Sequence, residues 1–536
     1  MFKKLFNGES KTITSAAIIL AAASILGQGL GILRDRILAG EFGAGSELDI
    51  YYAAFRIPDL VFNLIVLGAL SAGFIPVFSS YLGNKKKAWE LANLVVNVML
   101  CCLVIISSVL IILAPYLLKL IAPGFSANEL QVATGLTRIM FLSPIFLGIS
   151  GVLGSILQSF KRFFIYSLAP IVYNIGIIIG ALLFTKFLGL YGLAWGVVFG
   201  ALMHMLIQMP AVFSLGYNYQ FKIDLNHQGL RKILTMMVPR TIGLVVSQIN
   251  FFIVTIIGST LAAGSIAIFN LANNIQSFPL SLFGVTYAIA AFPTLSELAA
   301  HKKRFIQTFS LVTRQILFFI VPSTALLIVL RAQVVRAILG SGRFDWEDTV
   351  LTLQVVTFFA ISLFAQSLIL VLARAFYARH DSKTPLYTSL ISAIANIVFS
   401  IYFARDFGVV GLSLAFSLAS ILNFILLFLI LHYRLGSLDG QKITISTGKI
   451  LIATFMLGIV AQAVKYPIEQ KFGTSTFVGI AIQAAAACSA GLIIYFFICW
   501  LLKSEELNLF VESIKKKLLK HPEIPQEIIE QEKIST

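Results

Sequence analysis

The chain alternates long apolar runs with short polar breaks, and that spacing predicts helices that cross a bilayer. A spanning helix needs about 20 mainly apolar residues. Runs of this kind lie at approximately 12–38, 50–81, 88–119, 130–158, 163–185, 190–216, 231–258, 264–299, 305–340, 347–377, 384–404, 408–434, 445–464 and 475–502, which makes about fourteen spans by the length rule. Several exceed the bilayer thickness and predict tilt, kinks or projection into water. The first run, from Ile13 to Leu26, continues past any small-residue cleavage site, so it reads as the first membrane helix and not as a removable leader.

The breaks sort by charge. One alternate set carries Lys3, Lys4 and Lys11; Lys85, Lys86 and Lys87; Lys161 and Arg162; Lys222, Arg231 and Lys232; Lys302, Lys303 and Arg304; Arg379 and Lys383; Arg434, Lys442 and Lys449; and the residues from Lys503 onward. The other set holds little beyond Lys119, Lys186, Arg343, Arg405, Lys465 and Lys471, with Glu41, Glu47, Asp49, Asp345, Glu347 and Asp348 among them. The positive-inside rule therefore puts both termini in the cytoplasm, in agreement with an even number of spans. Of the 536 residues, 58% are hydrophobic and 12% charged, too few polar groups to cover a soluble surface. The formal net charge of +16 sits in short inter-helix loops, so it reads as topology and not as a nucleic-acid interface. Cys101, Cys102, Cys488 and Cys499 lie in apolar runs with neither metal-ligand nor redox spacing and read as small hydrophobes.

The pattern also repeats. Gly45-Ser46, Pro58, Phe74-Ile75-Pro76 and Lys85-Lys86-Lys87 are echoed by Gly264-Ser265, Pro279, Phe292-Pro293 and Lys302-Lys303-Arg304, at an offset of about 219 residues typical of an internal transporter repeat. Gly189-Leu190-Tyr191-Gly192-Leu193 is echoed by Gly408-Val409-Val410-Gly411-Leu412. An even number of spans per unit makes the repeat parallel, so the expected fold is an all-α polytopic membrane protein with two six-helix lobes around a central cavity. The expected boundaries are 1–217 for the first lobe, 218–435 for the second, 436–502 for two extra helices and 503–536 for a cytoplasmic tail. The small residues Ala484 to Ala487, Ser489, Ala490 and Gly491 suit either close helix packing or a groove for a lipid tail. Glu505 to Lys520 has apolar residues at helical spacing with Lys515, Lys516, Lys517 and Lys520, as in a helix resting on anionic headgroups or a solvated tail helix. Residues 521–536 read as disordered.

Arg34-Asp35, Phe42-Gly43-Ala44-Gly45, Asp49, Ala54-Phe55, Pro58, Gly68-Ala69, Ser71 and Phe74-Ile75-Pro76 resemble the N-terminal signature of the MurJ (MviN) family. The resemblance continues at Ala122-Pro123-Gly124-Phe125, Phe278-Pro279, Phe292-Pro293 and Phe376-Tyr377-Ala378-Arg379 leading to Asp381, Lys383, Thr384 and Pro385. It implies a lipid II flippase of the multidrug/oligosaccharidyl-lipid/polysaccharide exporter superfamily, in the bacterial inner membrane, with a tail groove beside the last two helices. The sequence departs from the family where Gln28, Phe62 and Asn274 stand at positions that typically carry cavity arginines, and where Leu67 and Asn273 replace acidic residues.

Charged groups inside membrane helices are costly and usually face a cavity or a partner. Arg34 is the leading substrate candidate, because a guanidinium matches phosphate geometry; the competing reading pairs it with Asp35, Asp49 or a headgroup. Gln28, Asn63, Asn274 and Arg374 are further substrate candidates, Arg374 alternatively snorkelling to the inner surface. Arg56 and Arg240 are other cations able to compensate for the missing arginines. Asp35, Asp49, Asn273 and Gln276 are expected to orient or gate, although Asp49 also fits an ordinary helix-start carboxylate. His204 and His432 read as packed or headgroup-facing imidazoles. No Walker motif, HExxH or nucleophile elbow occurs, so neither catalysis, a cofactor nor a metal is expected. The expected partners are lipid II or a related polyprenyl-pyrophosphate glycolipid and membrane lipids, with a coupling ion left open. A multidrug exporter exchanging cations would want a carboxylate deep in a lobe, and the second lobe has few acids.

Overall fold

The computed structural model describes residues 13–67, 73–474 and 476–518, and every regular element among them is helical. The principal helices are α1 (Ile13–Phe42), α2 (Ser46–Val61), α3 (Ile75–Tyr81), α4 (Lys85–Ile121), α5 (Ala127–Met140), α6 (Leu142–Ser159), α7 (Phe163–Ile179), α8 (Tyr191–Leu206) and α9 (Gln228–Gly258). They continue as α10 (Ser265–Pro279), α11 (Thr286–Glu297), α12 (Lys302–Val329), α13 (Trp346–Ala378), α14 (Lys383–Leu435), α15 (Gly440–Phe472), α16 (Phe477–Leu501) and α17 (Glu505–Leu518). Ten helices among the described residues are long and apolar enough to cross a membrane. This falls short of the fourteen expected runs. Two of those runs lie in α14 on either side of the non-helical Gly408, and the runs covered by α1, by α2 and α3, and by α9 are helical where described but lie outside the ten.

The repeat is visible in the backbone. α2 and α10 each carry a proline near their ends, Pro58 and Pro279, and each is followed by a π-helical turn, Phe62–Leu67 and Leu280–Val285. A proline removes one N–H donor and crowds the preceding turn, which favours such a shift in hydrogen-bond register. Gly189 (φ 55°, ψ −142°) and Gly408 (φ 56°, ψ −135°) break their helices in the same left-handed conformation at the same place in each unit. Only glycine adopts that geometry without strain.

In lipid there is no hydrophobic drive between helices, so packing and polar contacts hold them together. Gln366 donates to Gln276 at 3.1 Å, Asn396 to Asn250 at 3.0 Å and Gln208 to Ser150 at 2.6 Å, each joining two helices. One apolar core is built mainly from α1–α10, and a second from α11–α17. The first also takes in Val355, Phe359 and Leu412 from α13 and α14, so the two halves meet in one core.

α15 and α16 pack along their length through the small-residue stripe: a Cβ on Gly491 would lie 3.2 Å from Leu457 and 3.3 Å from Ala461. Here the small residues serve close helix packing. A large apolar groove, about 1040 Å³, lies beside α15, between it and α12, lined by Ile328, Leu451, Phe455 and Ile459. α17 is not a free solvated helix. Glu506, buried, takes hydrogen bonds from Arg314 of α12 at 2.6 Å and Ser446 of α15 at 2.9 Å. Lys520 and residues 521–536 lie outside the described residues.

Candidate functional site

α1 carries three consecutive charges, and the helical rotation between neighbours sends them to different places. Arg36 turns away to the chain segment after α12, donating to the Ala337 carbonyl at 2.6 Å. Arg34 and Asp35 turn inward. The Arg34 guanidinium gives Nε and Nη2 to Asp35 Oδ1, at 3.0 and 2.8 Å, and Nη1 to Asn174 of α7 at 3.1 Å. The other oxygen of Asp35 accepts from Asn274 of α10 at 2.8 Å. One carboxylate thus joins the first half's arginine to the second half's amide.

Arg34 and Asn274 border two adjoining cavities. The larger, about 420 Å³, is also lined by Tyr51, Tyr52, Arg56, Asp59 and Phe62 of α2 and the turn after it, by Tyr173 of α7, by His204 of α8 and by Asn270 of α10. The smaller, about 160 Å³, adds Gln28, Asp35 and Phe278. Arg56 crosses to the second half, donating to Thr255 Oγ1 of α9 at 3.0 Å and Asn270 Oδ1 at 2.6 Å, with its guanidinium over the Phe251 ring at 5.1 Å. The His204 ring is held by Ser150 at 2.6 Å and stands edge-on to Tyr173.

The loops at one end of the bundle are clasped across the two halves. Asp49, 3% exposed, accepts the Gly264 and Ala267 amides at the start of α10, both at 2.7 Å. Asp348 accepts the Ala44 amide at 3.0 Å, and the Arg343 amide donates to the Gly40 carbonyl at 2.7 Å. Arg343 and Glu47 form an ion pair at 3.0 Å. Asp49 is therefore not a solvated carboxylate at the start of its own helix: it caps a helix of the other half.

Other candidates fall elsewhere. Gln28 lines the smaller cavity and, among the described residues, hydrogen-bonds Ser24 at 3.5 Å. Asn63 gives its amide to the Asp59 carbonyl and lines neither cavity. Asn273 accepts from Gln276, and Gln276 in turn joins Gln366 of α13, so this pair glues helices behind the cavity wall. Arg374 lines neither cavity, and its buried Nη1 has no hydrogen-bond partner among the described residues. The side chain of Arg240 lies outside the described residues. The tyrosines and Asp59 were missed by reading for cations and amides; the helical spacing of Tyr52 and Asp59 from Arg56 was the signal available.

Helices in two repeat units around a polar cavity walled by arginines, with ten among the described residues long and apolar enough to cross a membrane, define a multi-pass membrane transporter fold. The profile of the family described as "Lipid II flippase MurJ" matches residues 38–483, beginning just after Arg34. The chain belongs to that family. A probable lipid II flippase MurJ of Vibrio cholerae is 31% identical over 79% of this chain and 84% of that protein. The lipid II flippase MurJ of Burkholderia cenocepacia is 28% identical over 78% of this chain and 84% of its own length. A solved structure of lipid II flippase MurJ in an inward closed conformation superposes with a TM-score of 0.74 at 24% identity, covering 90% of this chain and 99% of that one. An inward-facing multidrug transporter of the MATE family shares the fold, with a TM-score of 0.66 at 15% identity over 79% of this chain and 99% of that one. As a family member with ten apolar spans among the described residues the chain is a multi-pass membrane protein, in bacteria of the inner membrane.

Proposed function

We propose that the protein is a flippase carrying lipid II from the cytoplasmic to the outer leaflet by alternating access. Residues 1–217 and 218–435 act as the two lobes, both termini lie in the cytoplasm, and the Asp49–α10 clasp closes the periplasmic end. The observation that carries this reading is a polar cavity walled by both halves, with two arginines inside and a clasp across one end. A lipid-linked pyrophosphate needs cationic donors to leave water, and Arg34 offers a planar fork for it. The polyprenyl tail stays in lipid, and the apolar groove between α12 and α15 is a surface on which it can lie. Moving an anion out of an inside-negative cell is downhill by roughly 2.3 kcal/mol per charge per 100 mV, so no nucleotide is required for turnover.

The test is complementation of a conditional lipid II flippase depletion strain by this chain, by Arg34→Ala and by the double variant Phe62→Arg with Asn274→Arg. Rescue by the wild type that Arg34→Ala abolishes is the expected result. A well-expressed wild type that fails while the double variant rescues would move the cargo to a different polyprenyl-linked glycan.

A further inference from the structure

The two cavity arginines are not equivalent. Arg34 spends Nε and Nη2 on a carboxylate, so its charge is already compensated by Asp35. Arg56 faces the same cavity, yet its hydrogen-bond partners are a hydroxyl and an amide oxygen, and among the described residues it makes no ion pair. Asp59, one turn further along α2, shares the cavity wall without pairing with it. A guanidinium held by neutral oxygens keeps its charge uncompensated, and a bond to an ionised phosphate, with both partners charged, is the stronger one. Its present partners also keep bonds of their own: Asn270 donates to the Ile266 carbonyl at 2.6 Å and Thr255 to the Phe251 carbonyl at 2.9 Å.

We propose that Arg56 is a second ligand for the cargo's pyrophosphate, and that the phosphate takes over the hydrogen bonds Arg56 now gives to α9 and α10. The inference rests on the flippase reading above and deepens it. Arg56 belongs to α2, in the first repeat unit, while Thr255 and Asn270 belong to the second. Capture of the anion therefore cuts bonds that tie the two lobes together at the level of the cavity. Binding and release of the lobes are coupled through one side chain, so an anionic lipid loosens the lobes where a neutral one does not.

The experiment measures binding of lipid II, undecaprenyl pyrophosphate and undecaprenol to the purified full-length chain. Arg56→Gln is expected to weaken both pyrophosphate lipids roughly ten- to hundredfold, the worth of a charged hydrogen-bond set, and to leave undecaprenol unchanged. Arg56→Lys retains part of the affinity. Asn270→Asp supplies Arg56 with a competing carboxylate and is expected to weaken the same two lipids, which carries the test should Arg56→Gln not fold. Wild-type affinity in a folded Arg56→Gln, or in a folded Asn270→Asp, overturns the proposal. A wild type that binds undecaprenyl pyrophosphate but not lipid II overturns the cargo reading and leaves Arg56 in place; binding of neither lipid overturns both.

Discussion

At the scale of single residues, the cavity is a contest between cations and the carboxylates beside them. Arg34 and Asp35 form an ion pair, and Asp59 lies one helical turn from Arg56 on the same wall. If Arg56 holds an anion, Asp59 opposes it, and removing that charge must help. Asp59→Asn is expected to raise affinity for undecaprenyl pyrophosphate by roughly threefold to tenfold; an unchanged or lower affinity in the binding assay would mean that the anion sits elsewhere. Arg34, Asp35, Gln28 and Asn274 were legible in the sequence because a charge or amide among apolar residues needs a partner. Which amide faces the cavity was not. Asn273 and Asn274 are adjacent, yet one bonds Gln276 behind the wall and the other reaches Asp35. Asn63 stands inside the π turn after α2, where the helical phase no longer tells which way a side chain points.

At the scale of elements, α14 shows how polar punctuation shapes an otherwise uniform apolar run. The sequence divides it between 404 and 408, and the break is the left-handed turn at Gly408, which separates two helices. Its start is fixed by Asp381, which accepts the Lys383 and Thr384 amides at 3.0 Å and the Thr384 hydroxyl at 2.6 Å, and pairs with Arg434 at the end of the helix that follows Gly408. Partial desolvation pushes the Asp381 carboxyl up, but the Thr384 and Arg434 bonds outweigh it and hold its pKa down at about 2. A carboxylate depressed in the folded state contributes stability above its unfolded value of 3.8, and that contribution fades as pH falls from there toward 2. Asp381→Asn is therefore expected to lower the thermal unfolding midpoint at pH 7, with the gap to wild type narrowing below about pH 4. A gap that stays constant with pH would assign the loss to geometry and not to charge. The signature Asp381, Lys383, Thr384 was legible as a motif; its tie to Arg434, about fifty residues on, came from two helices doubling back at Gly408.

At the scale of the molecule, the two lobes hold each other by exchanging caps. Gly264 begins α10 and has no side chain to satisfy the first amides, so Asp49 of the first lobe supplies both oxygens; Asp348 of the second lobe does the same for the Ala44 amide ahead of α2. A carboxylate at a helix N-terminus also meets the positive end of the helix dipole. Both terms act only while the lobes are together at this end, so they stabilise the clasped state alone and set how often it opens. Asp49→Asn keeps one acceptor oxygen, loses the other and removes the charge. Loss of a cap costs about 0.5 to 2 kcal/mol, which multiplies the unclasped fraction by roughly two- to thirtyfold. Spin labels at the exposed Glu41 and Glu347, one beside each half of the clasp, would read this as a longer distance population in Asp49→Asn than in wild type. Asp49→Ala should show more of it, because both acceptors go. Identical distance distributions in all three proteins would show that the remaining contacts, Arg343 with Gly40 and Glu47, hold the lobes without Asp49.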